Sequence, residues 1–329
     1  MKKEQKEGVD PTFNIVSSKP REETEEYKEY RRKWNENPKN KVVGDFPVHL
    51  DFETTTICNL KCYMCFQSFD PPYPAILDID LFKKVIDEGS KKGLCSIKLQ
   101  YRGEPLTDKR IPEMVKYAKD KGVIEVMFNT NATLLDEKMA RALIEAGLNK
   151  IICSVDGCTK ETYESVRIGA TWEVTRDNIL RLQKIKKEMG ITHPIVRVQM
   201  VDTPRNHKEI KEYIEYWGNL VEDVAIEDML DYKAEDKDET PLPNFSCGQL
   251  WQRLMILADG DVVPCCRAVQ GGNNKLMVLG NIKEDTIENI WKGKALQNIR
   301  DLNSNGQSHL IDMCARCGLR KDVVNDMKK

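Results

Sequence analysis

No apolar run in this 329-residue chain approaches the roughly 20 residues that a bilayer-spanning helix needs. The opening stretch MKKEQKEGVDP lacks the apolar core of a secretory signal, so a soluble cytoplasmic protein is expected. Neither sign of charge is in excess. With 51 basic and 53 acidic residues the net charge is −2, which gives no case for nucleic acid or an anionic membrane as the main partner. There is no internal repeat. The composition, 40% hydrophobic and 32% charged, is that of an ordinary water-soluble protein, long enough for one large domain plus a small one.

Cysteine is plentiful: the chain has eleven. In a reducing compartment these are metal ligands or reactive thiols rather than disulfides. Three fall in the stretch ETTTICNLKCYMCF, where Cys58, Cys62 and Cys65 form a C-x3-C-x2-C spacing. Three thiolates that close together hold three irons of a cubane and leave the fourth open to a non-protein ligand. Zinc is the alternative, although structural zinc sites take four ligands, usually from paired C-x2-C units. Cys247, Cys265, Cys266, Cys314 and Cys317 lie in the last quarter, and Cys95, Cys153 and Cys158 are scattered between.

Residues 1–45 form a polar, charge-dense arm whose Glu/Lys/Arg spacing suits a solvated helix packed on the domain, with a partner-binding helix as the alternative. From 46 to 230, six alternating strand patterns (VHLDFE, CSIKLQY, VIEVMFNTN, NKIICSVDG, HPIVRVQMV, VEDVAIEDML) are separated by amphipathic helical stretches. That order predicts an α/β fold with a parallel sheet of right-handed crossovers, curved into a partial (β/α)6 TIM-like barrel whose chemistry sits at the carboxyl ends of the strands. Polar punctuation falls there: the cysteine loop, Arg102-Gly103-Glu104-Pro105, Asn129-Thr130-Asn131, Ser154-Val155-Asp156-Gly157 and Asp202 follow successive strands. Residues 231–246 read as a linker. In 247–329, Asp259-Gly260 marks a hairpin turn, and DTIENIWKGKALQNIRDL reads as one helix capped by Asp285. By alternation, Asp51 and Glu53, then Lys98, Gln100 and Arg102, then Arg197 and Gln199 face the barrel interior, as substrate contacts or as an internal salt-bridge network.

On these motifs the chain, from about Asp45 to Arg320, resembles the radical S-adenosylmethionine superfamily and its subgroup with a SPASM or shortened twitch C-terminal domain. Cys58, Cys62 and Cys65 match the cluster loop. Gly103-Glu104-Pro105 matches the GGEP motif, with Arg102 in place of its first glycine. Asn131 resembles the TNG segment, with Ala132 for glycine, and Ser154 and Asp156 match S-x-D-G. The resemblance implies two [4Fe–4S] clusters and S-adenosylmethionine. The open iron would chelate the amino and carboxylate groups of the methionine. Glu104 would accept hydrogen bonds from the amino group, and Arg167 would neutralise the carboxylate. Asn131, Ser154 and Asp156 would stand near the ribose or sulfonium, and the backbone at Met200 and Val201 near the adenine. Taken singly, a strand-end Asn, Ser or Asp also serves as a cap or turn residue.

The same resemblance implies a second, fully ligated cluster on Cys247, Cys265, Cys314 and Cys317, with zinc again the alternative. Cys266 is left over, as a hydrogen-atom donor, a small apolar filler or a substitute ligand. A flavodoxin- or ferredoxin-type reductant is implied, with reductive cleavage to a 5′-deoxyadenosyl radical that abstracts a substrate hydrogen atom. Oxidation or epimerisation of a small polar, carbohydrate- or cyclitol-like substrate follows from one auxiliary cluster. The N-terminal arm is too short for a winged-helix leader-recognition module, so a peptide substrate is the alternative. A non-catalytic electron carrier or cluster scaffold is the reading from another class; it would not need Glu104, Asn131 and Asp156 around an open iron.

Overall fold

The structure, a computed structural model, describes residues 14–19, 23–229, 236–243 and 245–327. Parts of the expected arm (1–13 and 20–22) and of the expected linker (231–235 and 244) lie outside the described residues.

The described residues begin with β1 (Asn14–Ser18) and α1 (Glu25–Asn40). Then come β2 (His49–Phe52), α2 (Ile79–Gly89), β3 (Ser96–Lys98), α3 (Ile111–Asp120), β4 (Glu125–Thr130), α4 (Glu137–Glu145) and β5 (Lys150–Ser154). α5 (Lys160–Val166) and α6 (Trp172–Glu188) lead to β6 (Ile195–Asp202), α7 (Ile210–Gly218) and β7 (Asp223–Asp228). The C-terminal part holds β8 (Arg253–Ile256), β9 (Asp261–Val263), the small β10 (Val269–Gln270) and β11 (Asn274–Lys275), and β12 (Gly280–Asn281). It ends in α8 (Ile287–Lys292), α9 (Lys294–Ser304), α10 (Asp312–Ala315) and α11 (Gly318–Met327).

β2 to β7 are parallel neighbours, the expected six-stranded partial barrel. The sheet has ten strands in the order β1-β7-β6-β5-β4-β3-β2-β8-β9-β12 and does not close on itself. Asp78 and Asp136 cap α2 and α4 with side-chain oxygens, which starts each helix where the amphipathic pattern begins. The apolar faces of these helices bury Phe82, Val85, Ile86, Met139 and Leu143. Phe82 meets Phe52 of β2 edge-on, ring centroids 5.0 Å apart.

Three features of the fold differ from the sequence reading. β1 pairs antiparallel with β7, through a bulge between Ile15 and Ser17, and covers that edge. β8 lies parallel to β2, pairing His49 with Arg253 and Phe52 with Ile256, so the C-terminal part extends the barrel sheet. The expected single helix after residue 285 is two. Gly293, in extended backbone, separates α8 from α9, and Thr286 rather than Asp285 is the N-cap. Asp285 instead accepts from Thr286 N and Asn289 Nδ2, each at 2.7 Å.

α1 has solvated Glu29–Arg32–Glu36 pairs on one side. On the other, Tyr30 and Trp34 are buried against Val48 and Cys95. Burying side chains of that size contributes about 1.5–3 kcal/mol each, well above the few tenths from the surface ion pairs. Among the described residues no helix is long and apolar enough to cross a membrane.

Candidate active site

The loop leaving β2 is held on both flanks. Thr56 N donates to Ala75 O at 3.0 Å, while Lys61 N and Tyr63 N donate to Ile168 O and Val166 O beyond the end of α5. Inside the loop, Cys65 N and Ser68 Oγ both reach Cys62 O, and Leu60 and Phe66 anchor it in the core. The three cysteines are thereby fixed along one wall of a cavity of ≈ 240 Å3 that opens at the carboxyl ends of the strands.

Gly103 runs against this loop: a Cβ there would stand 2.2 Å from Thr55 O and 2.8 Å from Ile57 O. That close approach needs glycine, and it lets Glu104 N donate to Ile57 O at 2.9 Å. Glu104 is buried. Its Oε1 accepts from Leu106 N at 3.0 Å and Thr130 Oγ1 at 2.7 Å, and its Oε2 accepts from Asn131 N at 2.7 Å. Burial pushes its carboxyl up, and these three donors oppose that. A carboxylate has about four acceptor positions, so one remains for a ligand in the cavity that Glu104 lines.

Asn131 lines the cavity, yet its amide is tied down: Nδ2 donates to Asn59 Oδ1 of the cysteine loop at 2.8 Å, and Oδ1 accepts from Thr133 N and Oγ1. The next residue, Ala132, takes φ +58°, the left-handed conformation that the corresponding glycine adopts more easily. Ser154, Arg167 and Val201 line the cavity as well; Met200 lies in the hydrophobic core behind it.

Asp156 is fully buried and does not line the cavity. Its two oxygens take Arg167 Nε at 2.5 Å and Val201 N at 2.7 Å. Instead of facing the ribose or sulfonium, it holds Arg167 and fixes β6. Burial works against the Arg167 charge, but the Asp156 carboxylate outweighs it and keeps the guanidinium protonated. Arg167 Nη1 stands 3.7 Å from Cys62 Sγ.

The thiols suit iron–sulfur ligation. Burial pushes Cys58 to about 11 and raises Cys62 and Cys65, so a bound metal is what favours the thiolate form. Cys247 and Cys314 are pushed by burial to about 11 and about 12, and Cys265 higher, each further raised by neighbouring thiols of the same group. A cubane spreads its thiolates over separate corners, and the two groups of cysteines, three on one loop and four in the C-terminal part, would supply such corners.

Cys266 is half-buried, and its carbonyl accepts from Tyr101 Oη at 2.8 Å. Burial raises its thiol; Arg253 opposes this, and Cys317 and Asp51 add to it.

The interior candidates divide. Glu53 and Arg102 are saturated by one another: Arg102 Nη2 donates to Glu53 Oε2 at 2.7 Å, Nε to Oε1, and Nη1 to Gly272 O. They fasten the C-terminal segment to the barrel through Gly272, and Arg102 also lines the cavity. Asp51 pairs with Arg253 at 3.4 Å and His49 at 3.5 Å, and Arg197 with Asp223 at 3.6 Å. Gln100 lines the cavity, Gln199 is buried, and Lys98 lies one pleat below Gln100. Asn129 and Thr130, read in the sequence only as strand-end residues beside Asn131, also line the cavity, as does Glu227, which the sequence reading did not single out.

Comparison with known proteins agrees with this geometry. The radical SAM superfamily matches residues 52–216, and an iron–sulfur cluster-binding SPASM domain matches 247–318. A tungsten-containing aldehyde ferredoxin oxidoreductase cofactor-modifying protein of Pyrococcus furiosus is 28% identical over 318 residues, covering 83% of this chain and 87% of that protein. An Fe-coproporphyrin III synthase of Methanosarcina barkeri is 38% identical over 152 residues, 46% of this chain and 37% of that one. In fold the chain is similar to BtrN in complex with AdoMet and 2-DOIA (TM-score 0.58, 22% identity, 84% of this chain and 94% of that one). It is also similar to Streptococcus suis SuiB bound to the precursor peptide SuiA (TM-score 0.64, 16% identity, 92% and 79%). The chain belongs to the radical SAM superfamily, with a SPASM domain following its barrel.

Proposed function

We propose that this enzyme removes a hydrogen atom from a small polar substrate held in the barrel interior and releases an oxidised or epimerised product. One observation carries the reading: Cys58, Cys62, Cys65, Glu104, Gln100 and Asn129 line a single cavity, so cluster ligands, a nucleoside anchor and polar substrate contacts share one space. In this reading Cys58, Cys62 and Cys65 hold an open-site [4Fe–4S] cluster, and Cys247, Cys265, Cys314 and Cys317 hold a closed one. When bound, the first cluster and S-adenosylmethionine supply a 5′-deoxyadenosyl radical, the hydrogen-abstracting agent.

The chain's own residues orient and shield. Glu104 offers its remaining acceptor position to the methionine amino group. Arg167, aimed by Asp156, meets the methionine carboxylate as a charge-assisted pair. Ser154 and the β6 backbone at Val201 border the ribose and adenine; Asn131, through Asn59, keeps the cysteine loop in register. Cys266 supplies a hydrogen atom to the substrate radical on the epimerising branch, and the resulting thiyl would be returned to the thiol by an electron from the same reductant and a proton; on the oxidising branch it is a bystander, and the electron the substrate radical gives up would pass to the cluster that Cys247, Cys265, Cys314 and Cys317 would hold. Residues 46–230 make the radical domain and 247–329 the auxiliary-cluster domain, and a flavodoxin- or ferredoxin-type protein delivers the electron. The name of the Pyrococcus furiosus relative, a cofactor-modifying protein, supports a small-molecule substrate over a peptide.

The test is anaerobic reconstitution followed by S-adenosylmethionine and dithionite. Formation of 5′-deoxyadenosine, with deuterium transferred into it from a labelled substrate, is the expected result, and an absence of 5′-deoxyadenosine refutes the reading. Cys266→Ala then separates the branches: deuterium transfer that persists while epimerised product disappears identifies the donor.

A further inference from the structure

The strand register orders the barrel interior into rows. Asp51, Lys98, Met127 and Lys150 align across β2 to β5. Asn129, Ile152, Arg197 and Asp223 align across β4 to β7, and Ser154, Gln199 and Ala225 across β5 to β7. Side chains two apart on a strand share a face; Lys98 aligns with Met127, two residues before the cavity-lining Asn129 on β4, so it belongs to the interior face one pleat below the cavity.

Most interior charges are matched. Asp51 has Arg253 and His49, Arg197 has Asp223, Lys150 has Glu125 at 3.7 Å, and Glu53 has Arg102. Glu227 is engaged as well. Among the described residues, the Lys98 ammonium has no hydrogen bond and no opposite charge within ion-pair distance. Burial pushes its amine down, and Asp51 opposes that from farther off; Glu227 and Cys266 are also within electrostatic reach. Lys98 is half-buried, and a cation partly withdrawn from water without a partner is costly and is poor evidence of a stabilising role. Nearby, Asn129 Oδ1 and Gln199 Oε1 are buried amide oxygens with no hydrogen-bond partner. Native interiors rarely leave such groups orphaned; Asn129 lines the cavity directly, Gln199 pairs across β5 and β6 with Ser154, which also lines it, and half-buried Lys98 aligns with Met127 one pleat below Asn129.

We propose that Lys98 is the anion-reading residue of the substrate site: the substrate carries a phosphate or carboxylate that pairs with the Lys98 ammonium, while Asn129 Oδ1 and Gln199 Oε1 accept hydrogen bonds from its hydroxyl or amino groups. This rests on the proposed use of the barrel interior as the substrate site. It selects an acidic polyol or amino-polyol over a neutral sugar, because a neutral substrate would leave the cation uncompensated.

The test uses the reconstituted holoprotein with S-adenosylmethionine bound and three probes of similar size: glucose 6-phosphate, gluconate and glucose. Calorimetry and thermal melting are expected to detect the phosphate probe or the carboxylate probe, whichever matches the natural group, and not glucose. Lys98→Met should weaken that binding at least tenfold, and Lys98→Arg should retain most of it. Without any probe, Lys98→Met should melt at or above the wild-type temperature, because a half-buried charge without an ion-pair partner has been removed. Three results would each overturn the assignment: no discrimination among the probes by the wild type, equal anion binding by Lys98→Met, or a lower probe-free melting temperature for Lys98→Met, the mark of a structural counter-ion. Wild-type 5′-deoxyadenosine formation is measured in the same preparations. Its absence faults the radical reading, whereas its presence without anion discrimination faults the Lys98 assignment alone.

Discussion

Arg102 stands where the related motif has glycine, and its substitution tests whether the Glu53–Arg102 pair binds the two parts of the molecule together. The two side chains are 6% and 0% exposed, and the guanidinium spans both carboxylate oxygens and the Gly272 carbonyl. Arg102→Met keeps much of the packing but leaves Glu53 buried with Ala258 N, at 3.1 Å, as its remaining hydrogen-bond donor. Removing one partner of a buried ion pair costs about 3–5 kcal/mol. At about 2 °C per kcal/mol for a large domain, the midpoint should fall by roughly 6–10 °C. The double variant Arg102→Met/Glu53→Gln removes the stranded charge, so it should recover a substantial part of that loss, a coupling of about 2 kcal/mol or more. Melting of the anaerobically reconstituted single and double variants, followed by circular dichroism, makes the measurement. A single variant within about 2 °C of wild type, or a double variant no better than the single, would show that the pair is not the fastener described here.

Other outcomes follow from the same geometry. Gly103→Ala drives a methyl into Thr55 O and Ile57 O and should displace the cysteine loop, read as a loss of iron at the first site with the auxiliary site still loaded. Glu104→Gln removes a charged acceptor worth about 1.5–3 kcal/mol, so S-adenosylmethionine should bind roughly 10- to 150-fold more weakly at unchanged iron content; equal affinity by calorimetry would remove Glu104 from the site. Cys314→Ser should halve the iron per chain and the absorbance of the reconstituted protein. An unchanged iron content would mean that the auxiliary ligand set has been misassigned.

The six parallel strands were legible because each is a short, largely apolar run between amphipathic helices, two of them opened by an Asp cap, a local signal. The polar residues at the strand ends were legible for the same reason, since a strand end is visible in the sequence. What joins distant segments was not. The pairing of β8 with β2 and of β1 with β7 depends on which edges are free, and no local pattern records that. Asp156 shows the limit at the level of one residue. Its strand-end position was readable, but a carboxylate that turns inward to Arg167 and Val201 N looks the same in sequence as one facing a ligand. Arg102 read as an inward polar residue, and its partner Glu53 did too; that they satisfy each other depends on neighbouring strands lying side by side.

The parallel seating of β8 along β2 also bears on biosynthesis. A nascent polypeptide that has emerged only through β7 presents the outer flank of β2 bare, one turn of chain away from three thiols. That flank is a template for intermolecular pairing until residues 253–256 arrive to cap it. The loop that bears Cys58, Cys62 and Cys65 therefore leaves a strand whose outer edge stays open until a segment nearly two hundred residues downstream has been made.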